Sequence, residues 1–160
     1  MAGGPEMDLI SQSVDNASAR IRFFRIAYGA GSDQAIGRSE IVSVIKDMMG
    51  AGRLSVAWGP LEPQQRSLVR MAFLGIQCLE TAMPYGGRIE VFAENNRWVL
   101  HGKSEKLNIN NDLWDVLSGK TEAADIAPAH VQFALLPAVA PEVGRKIRTE
   151  VTDTDLRIYF

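Results

Sequence analysis

The sequence contains a single cysteine, Cys78, among 160 residues, so an internal disulfide is excluded. Cys78 lies in the largely apolar stretch 74–79, where we expect a buried small hydrophobic residue rather than a reactive thiol. No run approaches the roughly 18 apolar residues that cross a bilayer. Residues 1–7 lack the basic and apolar regions of a signal peptide. These absences predict a cytoplasmic protein with no membrane association.

The sequence also lacks an excess of positive or negative charge, and it has few metal-ligating side chains. The chain has 17 Lys and Arg against 19 Asp and Glu, and its formal net charge is −2. Proteins that bind nucleic acid without sequence preference usually show a basic excess, so no nucleic-acid partner is predicted. The two histidines, His101 and His130, have no clustered cysteines or carboxylates beside them, and we predict no metal site. No Ser/His/Asp, Cys/His or paired-carboxylate arrangement supplies a catalytic residue.

What the sequence does contain is enough apolar material for a core and one long helical pattern. Hydrophobic residues make up 46% of the chain and charged residues 22%. Between residues 8 and 28, apolar side chains recur at alternating steps of four and three, with no Gly or Pro between them. These positions are Ile10, Val14, Ala17, Ile21, Phe24 and Tyr28. This heptad seam is typical of helices in bundles and coiled coils, so a second helix is expected beside it.

The rest of the chain predicts an α+β fold. Glycines at 29, 31 and 37 indicate a hinge over residues 30–38. Helices are predicted at 40–49 with Ser39 as cap, at 63–83, at 111–117 with Asn111 as cap, and at 128–139. Strands are predicted at 54–58, 88–93, 97–103, 146–151 and 156–160. The expectation is a long N-terminal helix followed by an α/β sandwich of five strands and about four helices.

Neither histidine is predicted to do chemistry. In the strand 97–103, alternation places Trp98 and Leu100 on one face and Val99 and His101 on the other. A structural or surface role is therefore expected for His101. His130 stands at a predicted helix start, where capping or exposure is expected.

Two segments resemble a known family. Residues 19–30, Ala-Arg-Ile-Arg-Phe-Phe-Arg-Ile-Ala-Tyr-Gly-Ala, resemble the second bundle helix of the ChpT-type histidine phosphotransferases. Residues 69–91 are similar to the helix, Gly-Gly turn and strand of a histidine-kinase ATPase domain. The resemblance covers nearly the whole chain. It implies a bundle helix at residues 8–30 and a degenerate ATPase-like domain at 38–160.

The resemblance also implies a function. Such proteins form a homodimeric four-helix bundle, accept phosphate on a histidine of the first bundle helix from the receiver domain of a hybrid kinase, and pass it to response regulators. The helix at 8–28 carries no histidine. We therefore expect that the first bundle helix is missing from this chain, through truncation, proteolysis or a late start codon. No catalytic residue is assigned, and whether this polypeptide is an enzyme is left open.

ATP binding is not expected. The kinase site needs a magnesium-binding Asn in its central helix, and residues 78–82 offer none. The segment after the strand 97–103 reads Ser-Glu-Lys-Leu-Asn-Ile-Asn, with no Asp-x-Gly-x-Gly. No cofactor is therefore predicted.

The candidate site is the end of the first helix. Arg20, Arg22, Phe23 and Arg25 lie outside the seam. Guanidinium groups there suit the acidic pocket of a receiver domain or a phosphoryl oxygen, and Phe23 suits an apolar anchor. The alternative is a solvated basic face with Phe23 packing onto the second domain. At the level of function, the two hypotheses are a phosphotransfer relay protein and a non-catalytic interaction domain of the same fold.

Overall fold

A computed structural model describes residues 4–29, 34–50, 52–123 and 125–160. Five α-helices lie in these ranges: α1 Pro5–Tyr28, α2 Arg38–Met49, α3 Arg66–Ala82, α4 Asn111–Leu117 and α5 Gln132–Val139. The strands are β1 Ala35–Ile36, β2 Leu54–Trp58, β3 Gln64–Gln65, β4 Gly87–Glu94, β5 Arg97–Lys103, β6 Arg148–Val151 and β7 Asp155–Tyr159. Short 3-10 helices cover Pro128–His130 and Ala140–Val143. The predicted α+β fold, with its long first helix, is confirmed.

The main sheet has five strands in the order β2-β4-β5-β7-β6. β2 runs parallel to β4, and the other neighbours are antiparallel. One face is apolar, and its fully buried side chains are Ile89, Val91, Leu100, Leu156 and Ile158. The opposite face carries Val99 and His101, as the predicted alternation in β5 requires. Because only one face of the sheet is apolar, the helices cover that face, and the structure has one layer of helices and one layer of sheet.

Helix α3 is the centre of the core and contacts α1, α5, β4 and β5. Most of its residues are buried, including Phe73 and Leu79. Gly75 allows close approach to the sheet, since a Cβ there would lie 2.5 Å from Leu100 Cδ2. Cys78 is fully buried, and burial raises the pKa of its thiol. The prediction of an unreactive core cysteine is therefore supported by its surroundings.

Several predicted boundaries are wrong, each for a local reason. Ser39 does not cap α2, because the helix begins at Arg38, two residues before the predicted start, and its N-cap is Gly37. Pro63 does not open α3, because residues 64–65 first pair with 35–36 as the short strands β3 and β1. The cap of α4 is Asn110 rather than Asn111, and its side chain accepts hydrogen bonds from the backbone N–H groups of Asp112 and Leu113.

The described residues cover the predicted hinge only in part. Helix α1 begins at Pro5, three residues before the start of the predicted helical pattern at residue 8. Residues 1–3, and residues 30–33 of the predicted hinge, lie outside the described residues. Within the described ranges, no helix combines the length and the apolar character needed to cross a bilayer.

Candidate functional site

Helix α1 has two apolar faces on opposite sides. At about 100° per residue, Ala19, Phe23, Ile26 and Ala27 share one side and the heptad seam lies on the other. The first set is buried. The large seam side chains stay open to solvent: Ile10 is 57% exposed, Val14 61%, Ile21 53%, Phe24 38% and Tyr28 36%. Water-exposed apolar side chains in a continuous helical stripe indicate a surface that another molecule covers.

The buried face joins α1 to the rest of the molecule. Phe23 is 0% exposed, and its ring stacks on Phe73 of α3 with centroids 4.5 Å apart and planes inclined by 2°. Phe23 therefore packs on α3, and a fully buried ring is not open to a partner as the predicted apolar anchor. The exposed ring at this level of the helix is Phe24, which contacts Tyr28 at 5.6 Å.

Two of the predicted arginines lie at the junctions of α1 with its neighbours. Arg22 forms an ion pair with Asp47 of α2 at 3.0 Å, and its guanidinium donates to the Ser43 hydroxyl at 3.4 Å. Arg20 lies near Glu80 of α3. Burial raises the pKa of Glu80, and the positive charge of Arg20 opposes that shift. Both guanidinium groups thus face carboxylates of this chain.

The last turn of α1 is held by α3. The Arg66 guanidinium donates to the backbone oxygen of Arg25 at 3.3 Å, and Arg70 donates to that of Ala27 at 3.3 Å. Cationic groups at the C-terminal carbonyls of a helix satisfy unpaired acceptors and favour the helix dipole. The Arg25 side chain itself is exposed and makes no ion pair within the described residues. Of the predicted set, Arg25 is therefore the cation most available to a partner.

Tyr28 completes this end of the helix. Its hydroxyl donates to the side-chain oxygen of Gln77 at 2.8 Å. Burial raises the pKa of the Tyr28 phenol above its ordinary value of 10.0. The surface at this end of α1 thus combines two open aromatic rings with an unpaired guanidinium, Arg25, which is a composition enriched at protein interfaces.

The two histidines lie away from α1. His101 sits on the outer face of the sheet in β5, where its Nε2 lies 2.6 Å from Asp155 Oδ1. The hydrogen bond from His101 is the largest of the causes that lower the pKa of Asp155. His130 ends a 3-10 turn and contacts Phe133 edge-on at 6.4 Å. Among the described residues, no three His, Cys, Asp or Glu side chains form a group that could hold a metal ion.

The segment after β5 folds back onto the end of α3. The backbone N–H of Asn108 donates to the Ala82 oxygen at 2.9 Å. Ser104 donates through its hydroxyl to the Gly86 oxygen at 2.9 Å. Leu107 and Ile109 pack against the core. The space beside the end of α3 is therefore lined by this chain's own apolar side chains.

The sequence did not indicate which residues the arginines contact, or that Phe24 rather than Phe23 is the exposed ring. Arg22 and Asp47 are 25 residues apart, and Arg70 and Ala27 are 43 apart. Such contacts depend on how α2 and α3 pack, so no spacing in the sequence indicates them. The i, i+4, i+7, i+8 pattern of Ala19, Phe23, Ile26 and Ala27 does predict a second buried face.

Comparison with known proteins agrees with this architecture. The sequence is 28% identical over 168 residues to the protein phosphotransferase ChpT of Brucella abortus (strain 2308), covering 96% of this chain and 78% of that protein. The solved structure of a bacterial phosphotransferase has a TM-score of 0.79 at 25% identity, covering 98% of this chain and 80% of the other. These matches confirm the predicted resemblance to ChpT-type proteins.

The relation to kinases is one of fold. The histidine kinase AdeS of Acinetobacter baumannii has a TM-score of 0.51 at 12% identity, covering 96% of this chain and 79% of the kinase. The model of the family described as histidine phosphotransferase C-terminal domain matches residues 38–155. Since that match spans well over half of the sequence, the chain belongs to the histidine phosphotransferase family.

Proposed function

We propose that the chain is a phosphorelay protein of two-component signalling, which docks the receiver domains of a hybrid kinase and of response regulators. Its family and its similarity to a protein phosphotransferase support this assignment. The observation that carries it is the exposed heptad seam on the far side of α1 from the core. A helix with two apolar faces is suited to joining a globular domain to a helical bundle.

The proposal includes a homodimer formed through that seam. Val14 and Ile21 are more than half exposed in the single chain, and burying the exposed part of each side chain is favourable by about 1–1.5 kcal/mol. A helix of the same sequence from a second chain offers a matching stripe. In the proposed domain organisation, residues 8–30 form a bundle helix and residues 38–160 form an ATPase-like domain.

The receiver domain is proposed to dock at the C-terminal half of α1 and on the adjoining side of α2. Arg25 is open, and Arg20 and Arg22 lie on either side of it. The Arg22–Asp47 pair is exposed, with 40% and 49% of the two side chains accessible, so it is worth about 1 kcal/mol or less. Arg22 can therefore exchange Asp47 for a carboxylate of the receiver domain. Phe24 takes the anchoring role first assigned to Phe23.

ATP is not part of the proposed mechanism. The residues that would hold magnesium and adenine in a kinase are absent from 78–82 and 104–110. Leu107 and Ile109 pack against the core in the second of these segments. The chain's share of the transfer reaction would be to position the partners and to stabilise charge.

A second candidate function is a non-catalytic interaction domain. The observation that favours it is the position of the histidines: α1 carries none, and His101 and His130 lie in the α/β part. In this alternative the same surface binds receiver domains, but no phosphoryl group moves onto the chain.

One experiment separates the two functions. The purified chain is incubated with a receiver domain that carries a radiolabelled aspartyl phosphate. An acid-labile label on the chain supports transfer, and binding without label supports the interaction domain. Failure to bind contradicts both. Arg25→Glu should weaken binding, whereas Arg53→Glu, at an exposed cation outside α1 and α2, is the matched control. Titration with a fluorescent ATP analogue should show no saturable binding.

The dimer is tested by sedimentation. The double variant Val14→Glu/Ile21→Glu places two charges in the seam and should shift the chain from dimer to monomer. Gln12→Glu adds a charge on the opposite side of the same exposed half of α1 and should leave the dimer intact. A monomeric wild-type chain, or a double variant that stays dimeric, would contradict this part of the proposal.

A further inference from the structure

A second surface with a distinct chemistry lies at the other edge of the molecule. A cleft of about 790 Å³ opens between residues 118–120, after α4, and residues 146–149 at the start of β6. No Asp or Glu of the described residues lines it, and four cationic side chains do: Arg97, Lys120, Lys146 and Arg148. The chain as a whole has a net charge of −2. The cleft is therefore a local concentration of positive charge on an acidic protein.

Most of this charge is unpaired. Arg97, Lys120 and Lys146 are exposed, and they make no ion pair within the described residues. Arg148 is the exception, since it lies 3.3 Å from Glu150 and stacks over the Tyr159 ring at 4.2 Å. Three cations held together without counter-charges repel one another, and a bound anion would relieve that repulsion.

The floor of the cleft is apolar. Ile147 is 7% exposed, and Trp98 and Phe160 stack with centroids 5.8 Å apart and planes inclined by 8°. A rim of cations around an apolar floor fits a ligand that has both carboxylates and aliphatic side chains, whereas a fully hydrated anion would leave the floor uncovered.

The cleft adjoins an open sheet edge. In the described part of the chain, β6 is the last strand of the sheet and pairs only with β7. Arg148, Glu150 and Val151 are exposed. Unpaired N–H and C=O groups along such an edge accept an additional strand. Alternation within β6 places Arg148 on the outer face and Thr149 on the inner face, opposite the buried Ile158. Just before the strand, Lys146 is exposed and Ile147 is buried.

We propose that the edge of β6 and the adjoining cleft bind an extended acidic segment of a partner protein. The segment adds as a sixth strand beside β6. Its outward carboxylates meet Lys146 and Arg148, a carboxylate that enters the cleft meets Arg97, and its inward aliphatic side chains cover Ile147. Lys120 meets a further carboxylate from the opposite wall of the cleft.

This surface is separate from the proposed receiver-docking surface. α2, which α1 contacts, packs on β2 at the first edge of the sheet, and β6 is at the far edge. An acidic segment on β6 therefore leaves α1 and α2 open. The proposal is also independent of phosphotransfer, because it needs no histidine and no phosphoryl group.

The test uses a fluorescein-labelled synthetic peptide in which Glu alternates with Val, measured by fluorescence anisotropy. We expect saturable binding that weakens as salt rises, because charges are screened over about 10 Å at moderate ionic strength. Arg97→Glu/Lys146→Glu should weaken binding by about tenfold or more. Lys46→Glu, at an exposed cation on α2, should leave the affinity unchanged. A peptide in which Lys alternates with Val should not bind.

Two further measurements keep the proposal open to refutation. Hydrogen exchange should slow at the amides of residues 148–151 when the acidic peptide is bound, and exchange that is unaltered there would overturn strand addition. Lys120→Glu serves as a second variant on the opposite wall, and circular dichroism verifies that each variant is folded. Equal affinity of the wild type and the charge-reversed variants would overturn the proposal. So would binding of a single-stranded oligonucleotide in place of the peptide.

Discussion

Replacing Phe23 with alanine tests how α1 is attached to the rest of the protein. The Phe23 side chain is fully buried and stacks face to face on Phe73. Truncating a core phenylalanine to alanine costs about 3–5 kcal/mol. The stacked pair itself contributes about 0.5–1.5 kcal/mol, so we expect a loss in the upper part of that range. Since domains of this size are stable by about 5–15 kcal/mol, the loss should be large and easily measured.

Phe24 supplies the matched control, because it is the next residue and has the same side chain. It is 38% exposed and lies on the seam. Within one chain, Phe24→Ala should cost about 1–2 kcal/mol, since less area returns to water. Its effect should grow with protein concentration if the seam forms a dimer, because the unfolding of a dimer depends on mass action.

The assay is urea unfolding followed by circular dichroism at several protein concentrations, with unchanged m-values as the condition for comparing free energies. Phe23→Ala should destabilise the chain by a similar amount at every concentration. A loss below about 1 kcal/mol, or one smaller than that of Phe24→Ala, would show that α1 does not pack on α3 in solution.

Three further predictions concern the α/β part. Asn110→Ala should lower the free energy of unfolding by about 0.5–2 kcal/mol in urea titrations, because two N–H groups of α4 lose their acceptor. The control is Asn111→Ala at the neighbouring residue, which should lower it by less. Gly87→Ala should lower the melting temperature, because Gly87 has φ 146° and a Cβ there would meet the Lys103 backbone oxygen; an unchanged melting temperature would contradict that turn geometry. The Asp155 carboxyl should titrate by NMR below its ordinary pKa of 3.8, and His101→Phe should raise that pKa. The pKa of Asp155 is lower in the folded state than in the unfolded state. The stability from this hydrogen bond is therefore present above pH 3.8 and is lost as pH falls through the lowered pKa of the folded state. An Asp155 pKa that does not respond to His101→Phe would contradict the bond.

The parts of the fold that were predictable from sequence are those with a strong period. The heptad seam predicts α1, and strict alternation in β5 separates Trp98 from His101. The short strands β1 and β3 have two residues each, which is too few for any period. Their pairing depends on where α2 and α3 bring the chain together, so it follows from tertiary packing alone.

That α1 carries a partner-binding site stays a prediction, but the exposure of the side chains assigned to it can be compared with the structure. Three of the four assigned side chains, Arg20, Arg22 and Arg25, lie on the accessible part of α1. Phe23 and Phe24 are adjacent aromatic residues, and the heptad places only Phe24 on the seam. What the sequence does not show is which residues the second buried face of α1 meets, because Phe73 of α3 lies 50 positions away from Phe23.

The anchoring of the last turn of α1 has a mechanical consequence. Arg66 and Arg70 bond to the backbone of that turn, and Phe23 is stacked on the same helix α3. If α1 rotates about its own axis within a bundle, α3 must turn with it or give up these bonds. A change of twist at the proposed dimer seam would therefore reach the sheet through α3 as a rigid-body movement.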